Sequence, residues 1–286
     1  KDKQKLQKYI MLGAVGIVVF CMLFAFGLFA WFSRDLPAPG KLSQVEQSAT
    51  IFYDRDGKIL FQLYKDKNRL PIAFKDISET LKKATIAIED KDFYKHGGIS
   101  NVGIIRSFFS LLITRKISGG GSTITQQLIK NVLLDSRQTS TRKLKEIILA
   151  ISVEGKYTKD QILEMYLNEV PYGGSYYGVG SAAKGYFGKN PSQLTLLESA
   201  FIAGLPQSPS VYSPFIGVKD AWKGRTKDVL RRMREDKYIT VAEEKAALAK
   251  MNSLTFSQSR MSMNAPHFVF YVKDLIEKEY GAKILD

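Results

Sequence analysis

The residues of this chain best suited to chemistry fall in three short stretches: Glu89-Asp90-Lys91-Asp92-Phe93-Tyr94-Lys95-His96-Gly97-Gly98, then Gly120-Gly121-Ser122-Thr123-Ile124-Thr125-Gln126-Gln127, then Arg142-Lys143-Leu144-Lys145-Glu146. Glu89 follows the apolar run Ala84-Thr85-Ile86-Ala87-Ile88, which puts its carboxylate at the edge of a core. Burial there raises a carboxyl pKa toward values useful for taking a proton. In the second stretch the Gly119-Gly120-Gly121 run lets backbone approach a ligand. The helix expected after it brings Gln127, Lys130 and Asn131 onto one face, with Ile124, Leu128 and Val132 as its apolar stripe. Amides and an ammonium then point together, an arrangement suited to an anion. In the third stretch Arg142, Lys143 and Glu146 lie within one helical turn, with Leu144, Ile147, Ile148 and Ile151 expected to face inward. Each segment alone also fits an ordinary alternative: a surface glutamate near a helix end, a solvated polar face, an Arg142–Glu146 helical salt bridge.

The elements that must position these groups read as mainly helical. Thr158 with Gln161, Thr195 with Glu198, and Thr240 with Glu243 fit reciprocal capping boxes. A helix-start role therefore accounts for Glu198 without catalysis. Gly155 and Gly204 follow apolar-periodic segments and suit left-handed helix ends. Ile51-Phe52-Tyr53 and Ile59-Leu60-Phe61 around Asp54-Arg55-Asp56-Gly57 predict a β-hairpin. The segment Ile104 to Ile113 is too short to cross a bilayer. It fits either an ordinary core helix or a segment dipping into the outer leaflet.

Residues 9–32 are apolar or small without a charge, long enough to cross ~30 Å of hydrocarbon as an uncleaved transmembrane helix. Lys1, Lys3, Lys5 and Lys8 precede it against a lone Asp2, while Arg34-Asp35 beyond it is balanced. The positive side stays inside. Residues 1–8 are then a cytoplasmic tail, residues 33–49 with Pro37-Ala38-Pro39-Gly40 a linker, and the remainder external. The only cysteine, Cys21, lies in the span, and His96 and His267 are too distant in sequence to suggest a ligand cluster. No disulfide framework, cysteine metal site or dedicated metal cage is expected. At 286 residues and 45% apolar content there is material for one catalytic domain with an appendage. The formal charge of +14 comes without base-reading motifs, so no nucleic-acid partner is expected; an anionic bilayer and a phosphate-bearing substrate account for it.

Taken in order, the three stretches resemble the peptidoglycan glycosyltransferases, the polymerising domain of class A penicillin-binding proteins. The resemblance continues through Tyr166-Leu167-Asn168-Glu169-Val170-Pro171-Tyr172-Gly173 and Ala203-Gly204-Leu205-Pro206-Gln207-Ser208-Pro209-Ser210, from about residue 50 onward. It implies a mainly α, lysozyme-like helical domain over residues 50–250 with a smaller membrane-proximal lobe. Residues 251–286 would begin a linker toward a C-terminal, transpeptidase domain. The implied activity is polymerisation of lipid II into β-1,4-linked strands at the external face of the bacterial cytoplasmic membrane, with inversion and release of undecaprenyl diphosphate. By resemblance Glu89 is the catalytic base and Glu146 the second essential carboxylate, while Asp90, Ser122, Thr123, Gln127, Lys130, Asn131, Arg142 and Lys143 bind substrate or orient those that do. Lys143 would hold phosphate, His96 and Phe93 would be structural, and Arg137 would substitute for arginines that the family spaces differently. Ser100 stands where family members usually carry Asp.

No cofactor is required on this reading, although a divalent cation (Mg or Mn) could assist the diphosphate. Lipid II, the growing strand, membrane lipids and cell-wall synthesis proteins are the implied partners. Two other readings fit the residues. One is a glycan-cleaving enzyme of lysozyme or lytic transglycosylase type, the other a non-enzymatic membrane scaffold. Ser140-Thr141-Arg142-Lys143 and Ser181-Ala182-Ala183-Lys184 match the Ser-x-x-Lys pattern of penicillin-reactive sites, but Lys-Thr-Gly is absent.

Overall fold

The computed structural model describes residues 49–57, 59–64, 68–100, 121–134, 140–174, 176–215, 217–257 and 266–280, with scattered positions between 5 and 27. The described positions inside the predicted span 9–32 are helical, and among the described residues no helix is long and apolar enough to cross a membrane. The Pro37–Gly40 linker, Cys21, the Ile104–Ile113 segment, Gly119, Gly120 and Arg137 lie outside the described residues.

The predicted hairpin is present as antiparallel strands β1 (Ala49–Tyr53) and β2 (Ile59–Tyr64), with a register irregularity between Phe52 and Tyr53. Helices follow. α1 (Glu79–Glu89) begins where the Ser78 hydroxyl accepts from the Leu81 N–H at 3.2 Å. α2 (Ile124–Val132), α3 (Ser140–Glu154), α4 (Lys159–Glu169), α5 (Gly178–Phe187) and α6 (Leu196–Gly204) come next. The set of longer elements closes with α7 (Ala221–Glu235), α8 (Val241–Ala249) and α9 (Pro266–Tyr280). All three capping boxes foreseen at Thr158, Thr195 and Thr240 are formed, each side-chain oxygen taking a backbone N–H that would otherwise lack a partner.

α6 is the axis of the core. Everything from Leu197 to Gly204 on it is buried, and α1 and α7 pack on it, bringing Leu81, Ala84 and Ala87 together with Val229 and Leu230. Phe201 at its centre meets Trp222 and Phe256, with ring centroids 5.6 and 4.8 Å away. Fully burying such a side chain stabilises the fold by about 1.5–3 kcal/mol. α2 packs between α3 and α4, with Ile124, Leu128 and Ile129 fully buried. The carboxylate-bearing end of α1 is thereby fixed on one side by α6 and α7.

Two expectations need correcting. Gly155 and Gly204 do not adopt left-handed conformations; among the described residues left-handed positions close α5 at Gly188 (φ 67°) and α7 at Lys237 (φ 61°). Gly204 instead lies in ordinary helical space at φ −78°, and the chain continues into a 3-10 turn over Leu205–Gln207. On α3, Ile148 is buried as foreseen, but Ile151 is 46% exposed and Ile147 half-buried, and the inward side is completed by Leu149 and Val153 instead. Glu146 is itself buried, paired with Arg142 and Lys143 of the same helix.

Candidate active site

Glu89 is the last residue of α1, and its side chain is 9% exposed. Two donors hold its carboxylate: the Gln127 amide at 2.7 Å on Oε2 and the Arg225 guanidinium at 3.2 Å on Oε1. The Tyr166 hydroxyl donates to the other end of the Gln127 amide at 3.2 Å, so the amide's orientation is set and its N–H must face Glu89. Burial pushes the Glu89 pKa above the ordinary glutamate range; Gln127 and Arg225 oppose that rise and neighbouring Asp90 adds to it. The phenols of Tyr166 and Tyr172 are raised first by burial and then by the Glu89 charge.

Asp90 is the joint between the first two stretches. Its Oδ2 accepts the Ile124 N–H, at the first residue of α2, at 3.1 Å. Both its oxygens face His96 Nε2, at 2.9 and 3.0 Å. The Gly98 N–H donates to His96 Nδ1 at 3.2 Å, which assigns the proton to Nε2 and makes His96 the donor to Asp90. Thr123 closes the same knot: it caps α2 reciprocally with Gln126, and its hydroxyl donates to the Gly98 carbonyl at 2.7 Å. At Gly98, φ is 85° and a Cβ would stand 2.8 Å from Glu154 Cγ, so any side chain there would push the loop off α3. Asp90 and Thr123 thus have supporting partners on every side and hold α2, and with it Gln127, against Glu89.

The third stretch forms a separate cationic cluster at the mouth of α2. Glu146 takes the Lys143 ammonium at 2.7 Å and lies 3.5 Å from Arg142 Nε. Lys143 also donates to the Ser122 hydroxyl at 3.0 Å. Two of its three N–H donors are therefore committed, and with a side chain 44% exposed it keeps one for a ligand. Lys130 and Asn131 are exposed on α2, and among the described residues neither makes a hydrogen bond or ion pair. The structure therefore brings Glu89 together with Gln127, and Glu146 together with Arg142, Lys143 and Ser122. Lys130 and Asn131 lie on the exposed part of α2.

The transglycosylase family model matches residues 56–234, nearly two thirds of the chain. This chain belongs to that family. Penicillin-binding protein 1A of Vibrio cholerae is 39% identical over 90% of the chain, and that of Escherichia coli is 37% identical over 97%. The chain spans about a third of the length of these relatives, 31% and 32%. The crystal structure of penicillin-binding protein 1A from Haemophilus influenzae aligns with 82% of the chain and 25% of its own at 26% identity, with a TM-score of 0.48. Membership in the family bears out the expected kinship with the glycosyltransferase portion of class A penicillin-binding proteins.

In this member of the transglycosylase family the remaining shared segments have structural duties. Asn168 clamps the backbone of Ile72 from both sides, at 2.9 Å each. Glu169 pairs with Arg69 at 2.8 Å. Glu198 caps α6 and pairs with Lys189 at 2.7 Å, as its helix-start position implied. Arg225 and Tyr166 were not foreseen as site residues. Tyr166 carried no signal beyond its motif. Arg225 lies three residues after buried Trp222 and four before buried Val229, which places it on the inward-turned side of α7.

Ser181 is 1% exposed, and its hydroxyl donates to backbone carbonyls one turn earlier on α5. No acylating reagent can reach it. The chain is accordingly expected to remain unlabelled by a fluorescent penicillin on a denaturing gel, and stoichiometric labelling at Ser181 would contradict this packing.

Proposed function

We propose that the chain is the membrane-anchored polymerase of a cell-wall synthase: it joins lipid II units into β-1,4-linked glycan strands with release of undecaprenyl diphosphate. The observation that carries this reading is the buried Glu89 carboxylate, raised in pKa and held by Gln127, beside a separate cationic cluster of Arg142 and Lys143. A proton acceptor on one side and anion-binding donors on the other are what displacement of a diphosphate by a sugar hydroxyl requires. The acceptor 4-hydroxyl oxygen attacks the donor's anomeric carbon, its proton passes to Glu89, and the C–O bond to the diphosphate breaks with its electron pair going to the phosphate oxygen. Attack opposite the leaving group inverts the anomeric centre. Lys143, steadied by Glu146 and Ser122, meets the growing negative charge, and Lys130 and Asn131 extend the donor site along α2.

A divalent cation (Mg or Mn) would be held chiefly by the diphosphate, because the described residues form no group of three or more His, Cys, Asp or Glu side chains arranged for a metal ion. We place the catalytic portion outside the cytoplasmic membrane, anchored by residues 9–32, on the charge asymmetry about that segment. Residues 50–250 would be the glycosyltransferase domain and 251–286 the start of a linker to a transpeptidase domain. Complete digestion of the polymer by a β-1,4-specific glycanase tests the linkage; a product resistant to it would refute direct inverting displacement.

Lys130→Ala and Lys143→Ala are each expected to weaken capture of a diphosphate-bearing donor by about 1 to 3 kcal/mol through a lost charge-assisted contact. Binding of neutral glycan should change less. Titration of each variant with both ligands checks this, and equal losses for the two would point to damaged folding.

A further inference from the structure

The bond between Arg225 and Glu89 joins residues 136 positions apart, and the structure around it is specific. The Arg225 guanidinium is fixed at two points, Nε donating to the Gly204 carbonyl at 3.2 Å and Nη2 to Glu89 at 3.2 Å. Its side chain is 12% exposed, well buried for an arginine. Gly204 needs no special backbone freedom at φ −78°; what its missing side chain provides is room, since a Cβ there would stand 2.9 Å from Arg225 Cγ. The charged and titratable groups around Glu89 are Arg225 from α7, Asp90 beside it, Tyr166 from α4 and Tyr172 beyond α4, with the neutral Gln127 amide from α2. Arg225 is the cation of that set.

We infer that Arg225 is a positioning residue for the base: held by the Gly204 carbonyl, it keeps the Glu89 carboxylate ionised and aimed, and the absence of a side chain at position 204 is what lets it stand there. The inference rests on Glu89 being the general base. Burial works against ionisation of Glu89, and the opposite charge of Arg225, with the Gln127 hydrogen bond, counters it.

The test is the pH profile of kcat/KM for lipid II polymerisation by the full chain. Arg225→Ala is expected to move the acid limb upward by about 1 unit or more, with the lost rate recovered toward alkaline pH, and Arg225→Lys to restore part of the shift. Gly204→Ala should move the limb in the same direction in the wild-type background and add nothing in the Arg225→Ala background, where its collision partner is gone. A folded Arg225→Ala protein with an unmoved limb, or a Gly204→Ala effect that persists without Arg225, would overturn the inference. Should Arg225→Ala fail to fold, an unmoved limb in both Gly204→Ala and Arg225→Lys overturns it. Wild-type rate in Glu89→Gln would remove the base assignment itself, an outcome distinct from either.

Discussion

Glu89→Gln is expected to lower lipid II turnover by at least ~10²-fold while leaving lipid II binding nearly unchanged, as removal of a general base does. The amide fills the same volume but offers one acceptor oxygen where the carboxylate offers two, so it takes a hydrogen bond from Gln127 or from Arg225 but not from both, and it cannot accept the hydroxyl proton. Folding is not expected to be the cause of the loss. Because burial raises the folded-state pKa of Glu89, its favourable contribution to stability is fully present below the ordinary glutamate pKa and is lost as pH rises through the raised value. At neutral pH the neutral Gln avoids the cost of a buried charge, which offsets the hydrogen bond it gives up, so its melting temperature should stay close to wild type. The same raised pKa puts the acid limb of the wild-type rate at higher pH than an ordinary glutamate would, since the base must be ionised to act. Single-turnover rates with a parallel binding measurement check both halves, and wild-type turnover in the variant would remove Glu89 from the mechanism.

The second large effect is expected at Asp90. Asp90→Ala strips the acceptor from the Ile124 N–H and from His96 Nε2, leaving two donors without partners in a knot that is 9% exposed at Asp90 and 2% at Thr123. Such a loss costs about 3 kcal/mol of stability. It also frees the start of α2, so Gln127 no longer stands reliably 2.7 Å from Glu89. Turnover should therefore fall with KM little changed, accompanied by a lower melting temperature. A variant of wild-type stability whose only defect is a raised KM would instead make Asp90 a direct substrate contact.

Much of this was legible from the chain. The alternation around Asp56-Gly57 announced the hairpin, and the threonine-to-acid or amide spacings announced three helix starts, because both signals are local. Glu89 could be placed at a core edge from the apolar residues before it, and the structure does bury it. The register of α3 could not be read this way. Ile147, Ile148 and Ile151 are equally apolar, and the packing of α2 and the burial of Glu146 decide which of them turns inward. Gly204 has the sequence context of a helix end, yet its role is to admit a side chain from a helix 21 residues later. Arg225 is a distant partner of the same kind: nothing within α7 names Glu89, and only the joint packing of α1 and α7 on α6 brings them together.

The account's central claim is glycosyl transfer from a lipid diphosphate, and incubation of the full chain with purified lipid II tests it most directly. Glycan polymer and free undecaprenyl diphosphate should appear together, at one lipid released per linkage formed. Failure to form polymer, with shortening of preformed glycan strands by the same preparation, would contradict the claim and make the site one of glycan cleavage.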